Sequence, residues 1–215
     1  MTNVIGLLGG TFDPIHHGHL RLALECAAAV GFTETRLIPA HQPPHRPPPA
    51  ASPTMRLRMV ELAVHGNGAL RADATEIRRA GVSYTVDTLM ALRRETATDP
   101  LCLILGQDAF LKLHTWRLWQ QLLDHAHLVV AARPGQDSAD ADPVLRQLQE
   151  QHGVSDAAAL RRAAAGCILR LTIPALDIAS TRIRQSIAAG QSVRYLMPDP
   201  VIQFIQQEAL YRNPT

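Results

Sequence analysis

Several signals that would place a protein at once are missing from this 215-residue chain. It has only three cysteines, Cys26, Cys102 and Cys167, far apart and each in an apolar or alanine-rich setting. That argues against a disulfide scaffold and for reduced, mostly buried thiols. No apolar run approaches the roughly 20 residues that a membrane span needs, and no basic n-region opens the chain. A cytoplasmic protein without a membrane partner is expected. Neither sign of charge is in excess, with 21 basic against 19 acidic residues and a net charge of +2, so nothing calls for a nucleic-acid surface. Also absent are the GxGxxG dinucleotide fingerprint, the lysine of a Walker loop, the HExxH of a zinc protease and a nucleophile elbow.

What the chain does have is material for a core. It is 47% hydrophobic and 19% charged, enough for one well-buried α/β domain over residues 1–215. Arginine supplies nearly all the positive charge, and guanidinium forks suit phosphate-rich small molecules. Short apolar runs at 4–8, 36–38, 101–105, 127–132 and 168–173 predict buried parallel strands, with a weaker extended stretch at 70–77. Helical patterns fall at 18–30, 53–64, 84–94, 180–189 and 198–211. Gly31 is the expected stop of the first, and Ser52 with Pro53 opens the second.

Six prolines within 41–53 forbid regular structure and predict a long loop of restricted flexibility. Residues 136–166, polar and then alanine-rich, predict surface helices or an insertion with no strand; 178–215 form a closing helical part. Alternating strands and helices predict a doubly wound, Rossmann-like parallel sheet covered on both faces. Ligands of such sheets gather beyond the carboxyl ends of the strands. GGTF (9–12), GQD (106–108) and RPG (133–135) each follow a predicted strand directly, and DIAST (177–181) follows the last after a short connection. Four segments are therefore expected to meet at one crevice.

The densest of these is GGTFDPIHHGHL, residues 9–20. His16 and His19, three apart, could share a helix face and chelate zinc, but Gly18 interrupts the helix and no third ligand is evident. The histidines could also be plain caps or exposed polar residues. A phosphate site fits better, because a helix start offers unpaired N–H groups, glycines allow close approach, and imidazoles add donors.

The same segment resembles the (H/T)xGH signature of a nucleotidyltransferase superfamily. PPHR (43–46), SYT (83–85), GQD, Trp116, RPG and IASTRIR (178–184) follow in the order found in bacterial nicotinate-nucleotide adenylyltransferases, across essentially the whole chain. The resemblance implies that His16, His19 and Arg184 are the catalytic groups, contacting ATP phosphates. Gly9, Gly10, Thr11 and Phe12 would lie along the nucleotide, with Gly106 and Arg133 beside it and Ile178 near the adenine. Ser180 and Thr181 would join Arg184 on the triphosphate; Ala179 stands where the family pattern has serine, one donor poorer. Asp108 would hold a ribose hydroxyl, the competing reading being a helix N-cap. Trp116 would face the pyridine ring, unless it is core, and the segment around Thr85 and the backbone near Arg117 would receive the carboxylate. His45 and Arg46 would close over phosphates, unless they belong to an ordinary solvated loop.

The implied reaction joins ATP to nicotinate mononucleotide, with Mg²⁺ held mainly through phosphate oxygens and no metal site made by the protein itself. Its nucleophile is a phosphate already largely dianionic at neutral pH, so the lack of a nucleophile–base signature is in keeping. Three rivals stand beside it: a sister transferase acting on nicotinamide mononucleotide or phosphopantetheine, a non-catalytic nucleotide-binding module, and a metal-dependent hydrolase. Preference between nicotinate and nicotinamide, and assembly into a homo-oligomer, are left open.

Overall fold

The computed structural model describes residues 3–44, 47–135, 142–174 and 176–212. His45 and Arg46 lie outside them. The strands are β1 (Ile5–Gly10), β2 (Glu34–Pro39), β3 (Leu70–Ala72), β4 (Leu101–Gly106), β5 (His127–Ala132), β6 (Gly153–Val154) and β7 (Ile168–Thr172). All pair in parallel, in the order β3-β2-β1-β4-β5-β7-β6. The helices are α1 (His17–Val30), α2 (Pro53–Val64), α3 (Thr75–Arg79), α4 (Thr85–Glu95), α5 (Gln107–Phe110), α6 (Leu122–His125), α7 (Pro143–His152), α8 (Ser180–Ala188) and α9 (Asp199–Gln207). No helix among the described residues is long and apolar enough to cross a membrane.

The continuous apolar runs follow from burial on both faces of the sheet. Cys102 and Ile104 of β4, with Val129 and Ala131 of β5, belong to one core layer. Their alternates Leu101, Leu103, Leu105, Leu128 and Val130 belong to the other. All three cysteines are free, with Cys26 and Cys102 buried and Cys167 half-buried.

Four elements differ from the sequence pattern. The extended stretch at 70–77 is a strand only to Ala72, after which 75–79 turn into α3. Asp73 makes that turn, accepting from the Thr75 amide at 2.8 Å, a local side-chain bond that competes with the strand ladder. Within 136–166, β6 adds a two-residue edge strand paired with β7, too short to leave a hydrophobic period. The last helix ends at Gln207, not at 211, because Ala209 and Tyr211 adopt left-handed φ values of 51° and 62°. Helix α1 starts one residue earlier than its apolar period, at His17, and stops where Gly31 turns at φ 72°.

The sheet is wound from β1 in two directions, to β2 on one side and to β4 on the other. Pairing between β1 and β4 runs only from Ile5↔Leu101 to Leu7↔Leu103, although both strands continue three residues further. The crevice of a doubly wound sheet opens at such a switch point.

Loops on this edge are held by a fully buried arginine. Arg56 of α2 donates to four carbonyls: Ala51 (3.1 Å), Thr11 (2.7 Å), Ala40 (2.6 Å) and His41 (3.0 Å). It thereby ties the end of β1 to both ends of the proline loop. Arg56→Leu should lower the unfolding free energy by about 3–5 kcal/mol, the range for breaking a buried charged network. Urea denaturation should show the midpoint falling with little change in slope.

Candidate active site

The loop after β1 turns into α1 through Thr11–Ile15. Gly9 is exposed, with open space where a side chain would stand, whereas a Cβ on Gly10 would meet the Phe12 ring at 2.9 Å. Only the first glycine therefore leaves the strand end accessible. The second makes room for Phe12, which is buried at a left-handed φ of 50°.

His16 is the N-cap of α1 and His19 its third residue. Their rings stack with centroids 3.7 Å apart, and Phe12 meets His19 edge-on at 5.0 Å. The His16 amide donates to His19 Nδ1 at 3.3 Å. That bond makes Nδ1 the acceptor, so in the neutral ring the proton resides on Nε2. A Cβ on Gly18 would stand 3.0 Å from His16 Nδ1, so glycine at this position lets the His16 ring fold over the helix start.

Burial lowers both imidazoles, His16 to about 4 with help from neighbouring His17, and His19 to about 3 with help from His16. Both are neutral at pH 7, hydrogen-bonding groups and not cations. Some helix-start amides are already used by the chain: His17 donates to Leu196 O (2.9 Å) and His19 to His16 O (3.0 Å).

The positive charge comes from elsewhere. Arg184 of α8 donates to Asp13 O at 2.7 Å and lies 3.8 Å from the Asp13 carboxylate. Ser180, the first residue of α8, donates to Pro14 O at 2.9 Å. Ala179 is the N-cap, without a capping side chain, and Thr181 is exposed in the first turn. The Ile178 carbonyl lies 3.5 Å from where a Gly18 Cβ would be. Arg133, exposed after β5, lies 3.6 Å from Asp177. Gly106 closes β4 and caps α5, while Asp108 is exposed within that helix. The N-cap reading of Asp108 is thus replaced: Gly106 holds that place. The segments after β1, β5 and β7 are joined by direct contacts, and that after β4 adjoins them through strand order.

On the other side of the crevice, Thr85 opens α4. Arg117 reaches it, donating to Asp87 at 3.1 Å with its guanidinium 4.6 Å from the Tyr84 ring centre. Trp116 is half-buried, packed on the core layer of β4 and β5 yet not enclosed by it. The proline loop begins beside this group, as the His41 amide donates to Ser83 Oγ at 2.8 Å.

Two residues of this edge escape a reading of motifs. Arg56 falls in phase with Met59, Val60 and Val64 on the buried face of α2, and a cation in an apolar stripe is its sequence signal. Tyr211, which donates to Asp13 Oδ1 at 2.7 Å, has no local signal.

A family model for cytidylyltransferase-like proteins matches residues 7–186, and the chain belongs to that class of nucleotidyltransferases. Within the class it belongs to the nicotinate-nucleotide adenylyltransferase family. It is 47% identical over 209 residues to a probable nicotinate-nucleotide adenylyltransferase of Methylococcus capsulatus, covering 97% of this chain and 99% of that one. Its counterpart in Aeromonas salmonicida is 48% identical over 208 residues, covering 97% of each. The fold is also that of Plasmodium falciparum nicotinic acid mononucleotide adenylyltransferase complexed with NaAD, with a TM-score of 0.74, 14% identity and 98% of both chains covered.

The lowered imidazoles give a pH expectation. The unfolded chain takes up protons below the ordinary histidine value of 6.5, whereas the folded pair does not, so stability falls as pH drops from 6.5 towards 4. Denaturation midpoints between pH 7 and about 5, above the ordinary carboxylate range, should decline. The double variant His16→Gln, His19→Gln should flatten that slope, leaving a remainder from buried His127, which burial also lowers.

Proposed function

We propose that the protein transfers the adenylyl group of ATP to nicotinate mononucleotide, giving nicotinate adenine dinucleotide and pyrophosphate. The observation that carries this reading is the junction between Arg184 and the Asp13 carbonyl, 171 residues apart in sequence. It brings a guanidinium to the loop that ends in the stacked histidines, beside the switch point of the sheet. A cation and neutral donors around an accessible strand end suit a triphosphate. The names of the relatives sharing 47% and 48% identity support nicotinate mononucleotide as acceptor.

A phosphate oxygen of the mononucleotide attacks the α-phosphorus of ATP. The bond from that phosphorus to the oxygen bridging to the β-phosphate breaks, and pyrophosphate leaves with the electron pair. The attacking group has a second pKa near 6 and needs no strong base. The protein's part is alignment and charge stabilisation. His19 donates from Nε2 to a phosphate oxygen, its ring fixed by the His16 amide and by Phe12. Arg184 supplies the charge that the imidazoles lack.

Asp108, exposed at the end of β4, takes a ribose hydroxyl. Trp116 offers its face to the pyridine ring, and the first turn of α4 with Arg117 receives the carboxylate. His45 and Arg46, outside the described residues, would add charge to the phosphate of the mononucleotide.

Among the described residues no group of three histidine, cysteine or acidic side chains could hold a metal ion, and the Asp13 carboxylate is occupied by two amides and a hydroxyl. A Mg²⁺ serving this reaction would therefore arrive on ATP and be held mainly by phosphate oxygens and water, with no ligand from the described residues. When bound, it would draw negative charge off those oxygens.

With ATP and nicotinate mononucleotide, the wild-type protein should form dinucleotide and pyrophosphate in equal amounts. His19→Ala should lower kcat by about a hundredfold or more, the scale for losing one preorganised donor. A folded variant with near-normal turnover would remove His19 from the mechanism. Trp116→Ala should raise KM for the mononucleotide more than KM for ATP; equal rises would make Trp116 a core residue only.

A further inference from the structure

Asp13 sits where three parts of the chain meet. Its Oδ2 accepts from the Ala50 amide at 2.9 Å and its Oδ1 from the Ala51 amide at 3.1 Å, both at the end of the proline loop. Oδ1 also accepts from the Tyr211 hydroxyl, buried at the C-terminal end of the fold. Arg184 donates to the carbonyl of the same residue and makes a looser ion pair with its carboxylate Oδ2, at 3.8 Å.

This is an unusual arrangement for an acid and a guanidinium so close together, since a direct charged hydrogen bond would be about 2.7–2.9 Å long. The carboxylate instead takes its hydrogen bonds from three neutral donors. Tyr211 reaches it from a left-handed backbone, φ 62°, which a side chain of its size adopts only where surroundings over-determine it. Burial and the adjacent carboxylate raise the phenol well above its ordinary range, so it stays a donor.

We propose that Tyr211 is a positioning residue for ATP, holding the Asp13 carboxylate at the base of the proline loop and off Arg184. Resting on the adenylyl-transfer reading, this assigns the C-terminal segment a part in the phosphate site that it never touches. Without the hydroxyl, Oδ1 loses its shortest hydrogen bond and the carboxylate turns towards Arg184. A triphosphate must then displace a tighter, directly hydrogen-bonded ion pair before it can use the guanidinium. The fraction of protein ready for ATP falls, and the apparent affinity falls by the same fraction. The mononucleotide, bound across the crevice by the group around Trp116 and α4, is not affected.

The test is Tyr211→Phe, which keeps the buried ring and removes only the donor. KM for ATP should rise about fivefold, on the scale of a modest population shift, with kcat and KM for nicotinate mononucleotide within about twofold of wild type. 4-Aminophenylalanine at the same position, a weaker donor on the same ring, should fall between the two, and it carries the reading alone if the phenylalanine variant does not fold. An unchanged ATP constant, or equal rises for both substrates, overturns the inference and leaves Tyr211 a core residue. Wild-type protein that yields no dinucleotide refutes the adenylyl-transfer reading itself, a different outcome from a wild type that turns over and a variant that matches it.

Discussion

The active-site edge depends on two buried charges that are satisfied mainly by main chain. Arg56 gives its hydrogen bonds to carbonyls on either side of the proline loop and to Thr11. Asp13 accepts from the two amides at which that loop regains N–H groups after Pro47, Pro48 and Pro49. The division follows from what prolines lack. A loop so poor in donors cannot be fastened by a strand ladder. It is fastened at its start by Ser83, which accepts from the His41 amide, at both ends by one cation that collects carbonyls, and at its far end by one anion that collects two amides. Burying either charge is costly unless every partner is in place, so the pair specifies one loop geometry and disfavours the rest.

The histidines of the same edge have the opposite character. A cluster of three in four positions suggests either metal ligands or a patch of positive charge. Burial makes His16 and His19 neutral, and the His16 amide commits Nδ1 of His19. What remains is a directed donor, preorganised by stacking and by Phe12. On the proposed reading, charge and direction would come from different residues, Arg184 for the first and His19 for the second.

How much of this was legible in the sequence depended on whether the signal was local. The five main strands were legible because burial on both faces requires uninterrupted apolar runs. Strand β6 was not, since two residues carry no period. The turn into α3 was hidden in a stretch whose apolar residues suit either structure, and was decided by the Asp73 side chain. At the site, the segments following β1, β4, β5 and β7 could be named from their positions alone. Their mutual contacts could not, because Arg184 and Ser180 meet residues 13 and 14 only through the fold. Gly10 was legible as a needed glycine but for another reason: Phe12, not a ligand, fills its missing side chain. Arg56 stood in the pattern all along, the one cation in the buried stripe of α2.

The two halves of the crevice are built to different standards. On the side of Asp13 and Arg56 the bonds are buried, tie distant segments together, and leave little freedom. On the side of Trp116 the contacts of Arg117 with Asp87 and Tyr84 are half in solvent, with Arg117 49% exposed. Ion pairs of that kind contribute about 0–1 kcal/mol and rearrange at small cost. In-line displacement sets the first requirement, since the α-phosphorus tolerates little misplacement. On the proposed reading, the second half would have only to admit a flat ring and a carboxylate. The distribution of buried charge along one edge of the sheet thus gives the crevice one rigid side and one yielding side, which is what the proposed transfer would ask of a phosphate half and a pyridine half.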